Sequence, residues 1–156
     1  ILEWIEHVYP DPPLLPADGA RVLEAKRIAV LAEGVMDAIV HLFFEFQRPA
    51  PSDPWIARQL RKLRGGMREL DRRLGDRRYF VSDQFGLADL STISVLGMQD
   101  VASSNGMVDA WQQKDPLIRP WRELYPNLKR YEAFLCNRPS VRDTAPIMFQ
   151  LAEPIV

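Results

Sequence analysis

Tyr79-Phe80-Val81-Ser82-Asp83-Gln84-Phe85-Gly86-Leu87-Ala88-Asp89-Leu90 holds the strongest structural signal in this chain. Its first half, with Tyr79, Phe80, Val81 and Phe85, is a loop made to be buried. Its second half is laid out as a helix start: a small residue, then an acid three positions on. Gly86 takes the cap position and Asp89 the third helical position. The Asp89 carboxylate is predicted to accept the Gly86 backbone N–H, at the positive end of the helix dipole. Gly86 has no hydroxyl to return that bond, so half of the reciprocal box is missing. As a cap, glycine is only about a few tenths of a kcal/mol worse than a hydroxyl residue. Residues 87–101 are small and apolar, as a central core helix should be. Gly86 and Asp89 are therefore read as structural cap residues.

Upstream, the spacing predicts a helix from Asp53-Pro54 to about Leu74, with the acid as cap and proline in the first turn. Ile56, Leu60, Leu63, Met67, Leu70 and Leu74 give it a clean 3.6-residue stripe. Gly65-Gly66 interrupts the stripe, permitting either a close helix contact or a bend. Before it, a long helix is predicted over residues 20–47, stopped by Arg48-Pro49. Ile28, Leu31, Val35, Ile39, Leu42 and Phe46 form one stripe. Lys26, Glu33, Asp37, His41 and Glu45 lie opposite, with Val30, Val40 and Phe44 mixed among them. Such a second, mixed face usually touches something.

Tyr9-Pro10-Asp11-Pro12-Pro13-Leu14-Leu15-Pro16 excludes a helix and reads as a stiff connector. Ile1-Leu2-Glu3-Trp4-Ile5-Glu6-His7 reads as the last turns of an amphipathic helix, not a signal peptide. Downstream, residues 107–125 read as irregular, with Pro116, Pro120, Trp111 and Trp121. Pro126-Asn127 opens a shorter helix closed at Asn137-Arg138-Pro139, and residues 141–146 fit one more turn. The apolar tail, residues 147–156, is expected along the surface. The fold class is all-α, a bundle of five to six helices.

The 156 residues are 47% hydrophobic and 26% charged, which suits one globular domain. A net charge of -1 gives no bulk attraction to nucleic acid or anionic membrane. Cys136 is the single cysteine, so no internal disulfide forms, and a reducing, cytoplasmic compartment is favoured. No apolar run reaches the roughly 18 residues of a membrane span.

Four segments in chain order resemble the C-terminal half of cytosolic glutathione transferases: the opening helix end with its proline connector, the long helix from Ala20, the stretch from Tyr79 to Leu90, and Tyr125-Pro126-Asn127-Leu128 with Asn137-Arg138-Pro139-Ser140-Val141. The family usually has serine or threonine where Gly86 stands. The resemblance implies a division into residues 1–9, the end of a helix from an N-terminal thioredoxin-like domain; 10–19, an interdomain linker; 20–146, the helical domain; and 147–156, a tail. It implies glutathione as co-substrate, bound mainly by the thioredoxin-like domain, an apolar electrophile as second substrate, and a homodimer. No family catalytic residue falls on this sequence.

In the family the long helix borders the electrophile cleft, so Met36, Asp37, Val40, His41 and Phe44 are the candidate substrate-binding residues. The same face reads equally as dimer contact or solvated surface. His41 lies one turn from Asp37 and from Glu45, which suits a helix-face ion pair better than a general base. No second histidine stands near it to make a metal site. The nine basic residues from 58 to 78 alternate with the core stripe as an exposed face does. Cys136 reads as a small core residue. Three functions compete: a transferase whose electrophile pocket this domain shapes, a non-catalytic interaction module of the translation-factor or synthetase-complex type, and a ligand-carrying or regulatory relative that keeps the fold without catalysis.

Overall fold

The computed structural model describes residues 1–147, the Glu3 side chain excepted. Past Ile147, the expected surface tail lies outside the described residues. Eight helices occur among those described: α1 (Leu2–Val8), α2 (Gly19–Phe46), α3 (Asp53–Leu74), α4 (Leu87–Ser104), α5 (Met107–Lys114), α6 (Trp121–Leu124), α7 (Pro126–Leu135) and α8 (Pro139–Arg142). No strand is present among the described residues. The architecture is all-α, with α6 and α8 as single turns.

α2 starts where Asp18 accepts the Ala20 N–H at 3.2 Å. Ile28, Val35, Ile39 and Leu42 are buried along it, together with Ala25, Ala29, Ala32 and Ala38. Those alanines widen the core face beyond the large-residue stripe and let both α3 and α4 pack closely on α2. Leu31 and Phe46 are only partly buried at its edges. α3 passes through Gly65-Gly66 without interruption. A Cβ at Gly66 would stand 2.3 Å from Val35 Cγ2, so this glycine serves a close helix contact; Gly65 faces open space.

The start of α3 differs from the sequence expectation. Ser52 is the cap residue, and Asp53 is already helical. Asp53 instead pairs with Lys114 at 2.7 Å. The Ser52 N–H donates to Glu45 Oε1 at 2.7 Å. Glu45, expected on the polar side of α2, is consequently buried, with Arg48 at 3.4 Å from its other oxygen. A buried carboxylate survives where such donors satisfy it.

At the centre, Asp89 is 2% exposed. Its Oδ2 accepts the Gly86 N–H at 3.0 Å, and its Oδ1 accepts the Phe80 N–H at 3.1 Å and the Tyr131 O–H at 2.7 Å. One side chain thus ties the loop, the α4 start and α7 together. Burial pushes the Asp89 carboxyl above its ordinary value, while the Tyr131 hydroxyl and the two N–H groups pull it back. Burial, then the Asp89 charge, raises the Tyr131 phenol well above the ordinary range. The reason for glycine at 86 is also visible. The Leu87 N–H donates to the Leu14 carbonyl at 2.8 Å, and a Cβ at Gly86 would stand 2.8 Å from that same oxygen. The proline-rich segment crosses the cap where a hydroxyl residue would need room. Glu6 on α1 holds that segment from the other side, accepting the Leu14 and Leu15 N–H groups at 3.0 and 2.9 Å.

Residues 107–125 are more ordered than expected. Gly106, at φ 70°, turns the chain into α5, and Pro120 precedes α6. Val108, Trp111 and Trp121 are buried, so two short helices are held by their apolar side chains rather than by intrinsic helix length. α7 is capped from a distance: Asp71 Oδ1 on α3 accepts the Asn127 and Leu128 N–H groups at 2.9 and 3.0 Å.

Candidate functional site

The C-terminal half of α2 brings the five sequence-predicted residues onto one side of one helix. Met36 is half-buried against the core. Val40 is 39% exposed and Phe44 62% exposed. The Phe44 ring meets Phe43 edge to face at 5.3 Å. Asp37 is exposed, 4.0 Å from Lys62 Nζ on α3. His41 lies edge-on to the Trp55 ring at 5.6 Å, and Arg58 stands over that ring at 5.7 Å. The expected His41 ion pair is not formed: of its two neighbouring carboxylates, Asp37 turns to Lys62 and Glu45 to Ser52 and Arg48. A shallow depression joins His41, Glu45, Arg48, Ser52 and Trp55. Its chemistry is aromatic contact with polar rims, and nothing in it is arranged to activate a nucleophile.

A deeper cleft of about 430 Å³ lies elsewhere, between α4, α7, α8 and residues 144–146. Leu90, Ile93 and Gly97 line its α4 side, and Asp100, Glu132, Arg138 and Arg142 surround them. Sequence reasoning missed it. The one signal was Gly97, inside a helix, where a Cβ would stand 2.6 Å from the Pro146 ring. Arg122 braces its edge, bonding both Asp100 oxygens at 2.5 and 2.7 Å and Glu132 at 2.7 Å. Cys136 also lines this cleft and is exposed, not a core residue as its sequence context suggested. It sits at the end of α7, one position past the buried Leu135. Partial desolvation, then the Glu132 carboxylate 3.6 Å away, raise its thiol above the ordinary value. The thiol is therefore protonated at neutral pH and is a poor nucleophile. Among the described residues, no group of histidine, cysteine and acidic side chains could hold a metal ion.

A family model described as "Glutathione S-transferase, C-terminal domain" matches residues 53–133, more than half of the chain. The chain belongs to the glutathione S-transferase family. A solved glutathione S-transferase from Methylobacterium radiotolerans, in complex with glutathione sulfonate, is 40% identical with a TM-score of 0.85; the match covers 99% of this chain and 68% of that one. Another, from Methylobacillus flagellatus with glutathione bound, is 31% identical with a TM-score of 0.75, covering 94% of this chain and 67% of that one. Two proteins of Nicotiana tabacum named "Probable glutathione S-transferase" are 27% identical over 141 residues, 88% of this chain. The chain spans 60% of the length of these curated relatives.

Proposed function

We propose that this domain forms the electrophile-binding wall and part of the dimer surface of a glutathione S-transferase that joins glutathione to an apolar electrophile. In this reading residues 1–9 end a thioredoxin-like domain of the whole protein and residues 10–19 link it to the helical domain. That other domain binds glutathione and activates its thiol. Within this chain, Met36, Val40 and Phe44 supply apolar contact, and Asp37 and His41 orient polar parts of the substrate. The whole protein is assigned to the cytoplasm, where an exposed, unpaired Cys136 stays reduced.

The observation that carries the proposal is Phe44. It is 62% exposed on a helix whose opposite side is fully packed, four residues from the exposed Val40. An apolar stripe left open in this way wants a partner or ligand. Glutathione sulfonate bound in one related structure and glutathione in another support the co-substrate.

The test is Phe44→Asp in the whole enzyme, assayed with an aromatic electrophile. Its KM for the electrophile is expected to rise about tenfold, the loss of roughly 1.4 kcal/mol of apolar contact. Its KM for glutathione stays unchanged. Wild-type kinetics in the variant would remove Phe44 from the pocket. A whole protein without any conjugating activity would favour the interaction-module reading.

A further inference from the structure

A second cleft, of about 280 Å³, is lined by Arg21, Arg77, Arg78, Tyr79, Val81, Ser82 and Asp83. Three arginines line it from two elements: Arg21 from the first turn of α2, Arg77 and Arg78 from the loop after α3. None of the three forms an ion pair with a described residue, although Asp83 lines the same cleft. Some arginines elsewhere are neutralised by carboxylates: Arg64 pairs with Asp115, Arg72 and Arg73 with Glu69, and Arg122 with Asp100. The cleft is thus lined by three cations against one anion.

Two of the three cations are held in place by contacts that do not neutralise them. Arg77 donates from Nε to the Leu74 carbonyl at 3.3 Å and from Nη2 to the Arg73 carbonyl. Arg78 stacks over the Phe134 ring at 4.4 Å. Phe134 in turn meets Tyr79 edge to face at 5.7 Å. A guanidinium fixed on a ring keeps its N–H edge free, and its fork geometry matches an oxyanion. Arg21 has no described partner. Ser82, whose Oγ bonds the Gln84 carbonyl at 3.2 Å, adds a hydroxyl, while Val81 and Tyr79 add an apolar wall.

We propose that this cleft binds a small phosphate dianion, free or as the phosphate of a small organic monoester. Arg21 and Arg78 take the charge directly, and Arg77 fixes the local positive potential. The site is separate from the α2 face. Arg21 lies 15 residues before Met36 on the same helix, about 22 Å at ~1.5 Å per residue. It stands or falls independently of the transferase proposal.

Calorimetric titration of the chain with inorganic phosphate at fixed ionic strength tests it. Saturable binding at one site is expected, with chloride at least tenfold weaker. Arg21→Gln should weaken phosphate binding fivefold or more without changing the thermal midpoint, since Arg21 has no hydrogen bond or ion pair to lose. Arg78→Lys keeps the charge but not the fork and should weaken it about threefold. Phenyl phosphate binding at least fivefold tighter than phosphate identifies the monoester as the ligand class; equal affinity identifies the free ion. Phosphate binding no tighter than chloride, or unchanged in Arg21→Gln, overturns the proposal.

Discussion

Asp89 and Phe44 occupy contrasting regions of one bundle. Around Asp89 every polar bond closes inward: two backbone N–H groups and a tyrosine hydroxyl converge on a carboxylate that is 2% exposed. Around Phe44 the apolar surface points outward, with 62% of the residue in solvent. The first region has no capacity left for a ligand, and the second has little to lose in the folded chain. Burial with complete hydrogen bonding marks residues that make the fold, and unmatched apolar exposure marks those available for function.

Substitutions can break this contrast. The largest effect is expected from Asp89→Ala, which strands two N–H groups and the Tyr131 hydroxyl in the core. A loss of about 3–5 kcal/mol in urea unfolding follows from leaving buried donors unpaired. A loss below about 1 kcal/mol would show that the three bonds are not what holds the centre together. Gly86→Ser comes next. It restores a better cap residue in isolation, yet its Cβ would meet the Leu14 carbonyl oxygen at 2.8 Å. The variant should therefore lose about 1–3 kcal/mol, because a backbone contact cannot yield cheaply. A gain in stability would mean that the proline-rich segment moves freely.

The pH dependence is subtler. Burial raises the folded Asp89 carboxyl above its unfolded value, so just above that value the native state holds a proton the unfolded chain has released. The Asp89 contribution should thus fall as pH rises through this window, the reverse of an ion-paired acid. Glu69 supplies the contrast: hydrogen bonds from Arg72 and then Arg73 lower its carboxyl to about 2. Its contribution is present above the unfolded value of 4.5 and is lost as pH falls toward about 2. Comparing wild type with Asp89→Asn from pH 4 to 7 checks the first sign: the wild-type advantage should shrink with rising pH. The smallest effect on stability is expected from Phe44→Asp, under about 1 kcal/mol, since an exposed ring leaves no cavity. A larger loss would place Phe44 with the core, not with a binding face.

Much of the helical layout was legible. The α3 stripe was read because every large apolar residue in it repeats at helical spacing, and the core takes all six positions. The cap at Asp89 was read from three-residue spacing, a local geometry. Short helices α5 and α6 were not, because four to eight residues carry too little periodicity and depend on Trp111 and Trp121 finding the core. Asp53 was misassigned as a cap because a cap signal one residue out of place looks the same until Glu45 is seen bonding the Ser52 N–H. Spacing put Asp37, Val40, His41 and Phe44 on the mixed face of α2, while their choice with Met36 as candidate site residues came from the family resemblance. The cleft beside α4 escaped notice because its lining comes from α4, α7, α8 and residues 144–146, which share no sequence pattern.

The sequence by itself determined where the long helices run and which side of each is apolar, because those properties arise from neighbours within a few residues. Only the tertiary structure decided why residue 86 is glycine, where Glu45 goes, that Cys136 is exposed, and that Arg21 meets Arg77 and Arg78 across one cleft. Each of these depends on groups distant along the chain, and a carboxylate, a thiol or a guanidinium acquires its role from what packing brings within a few ångströms of it.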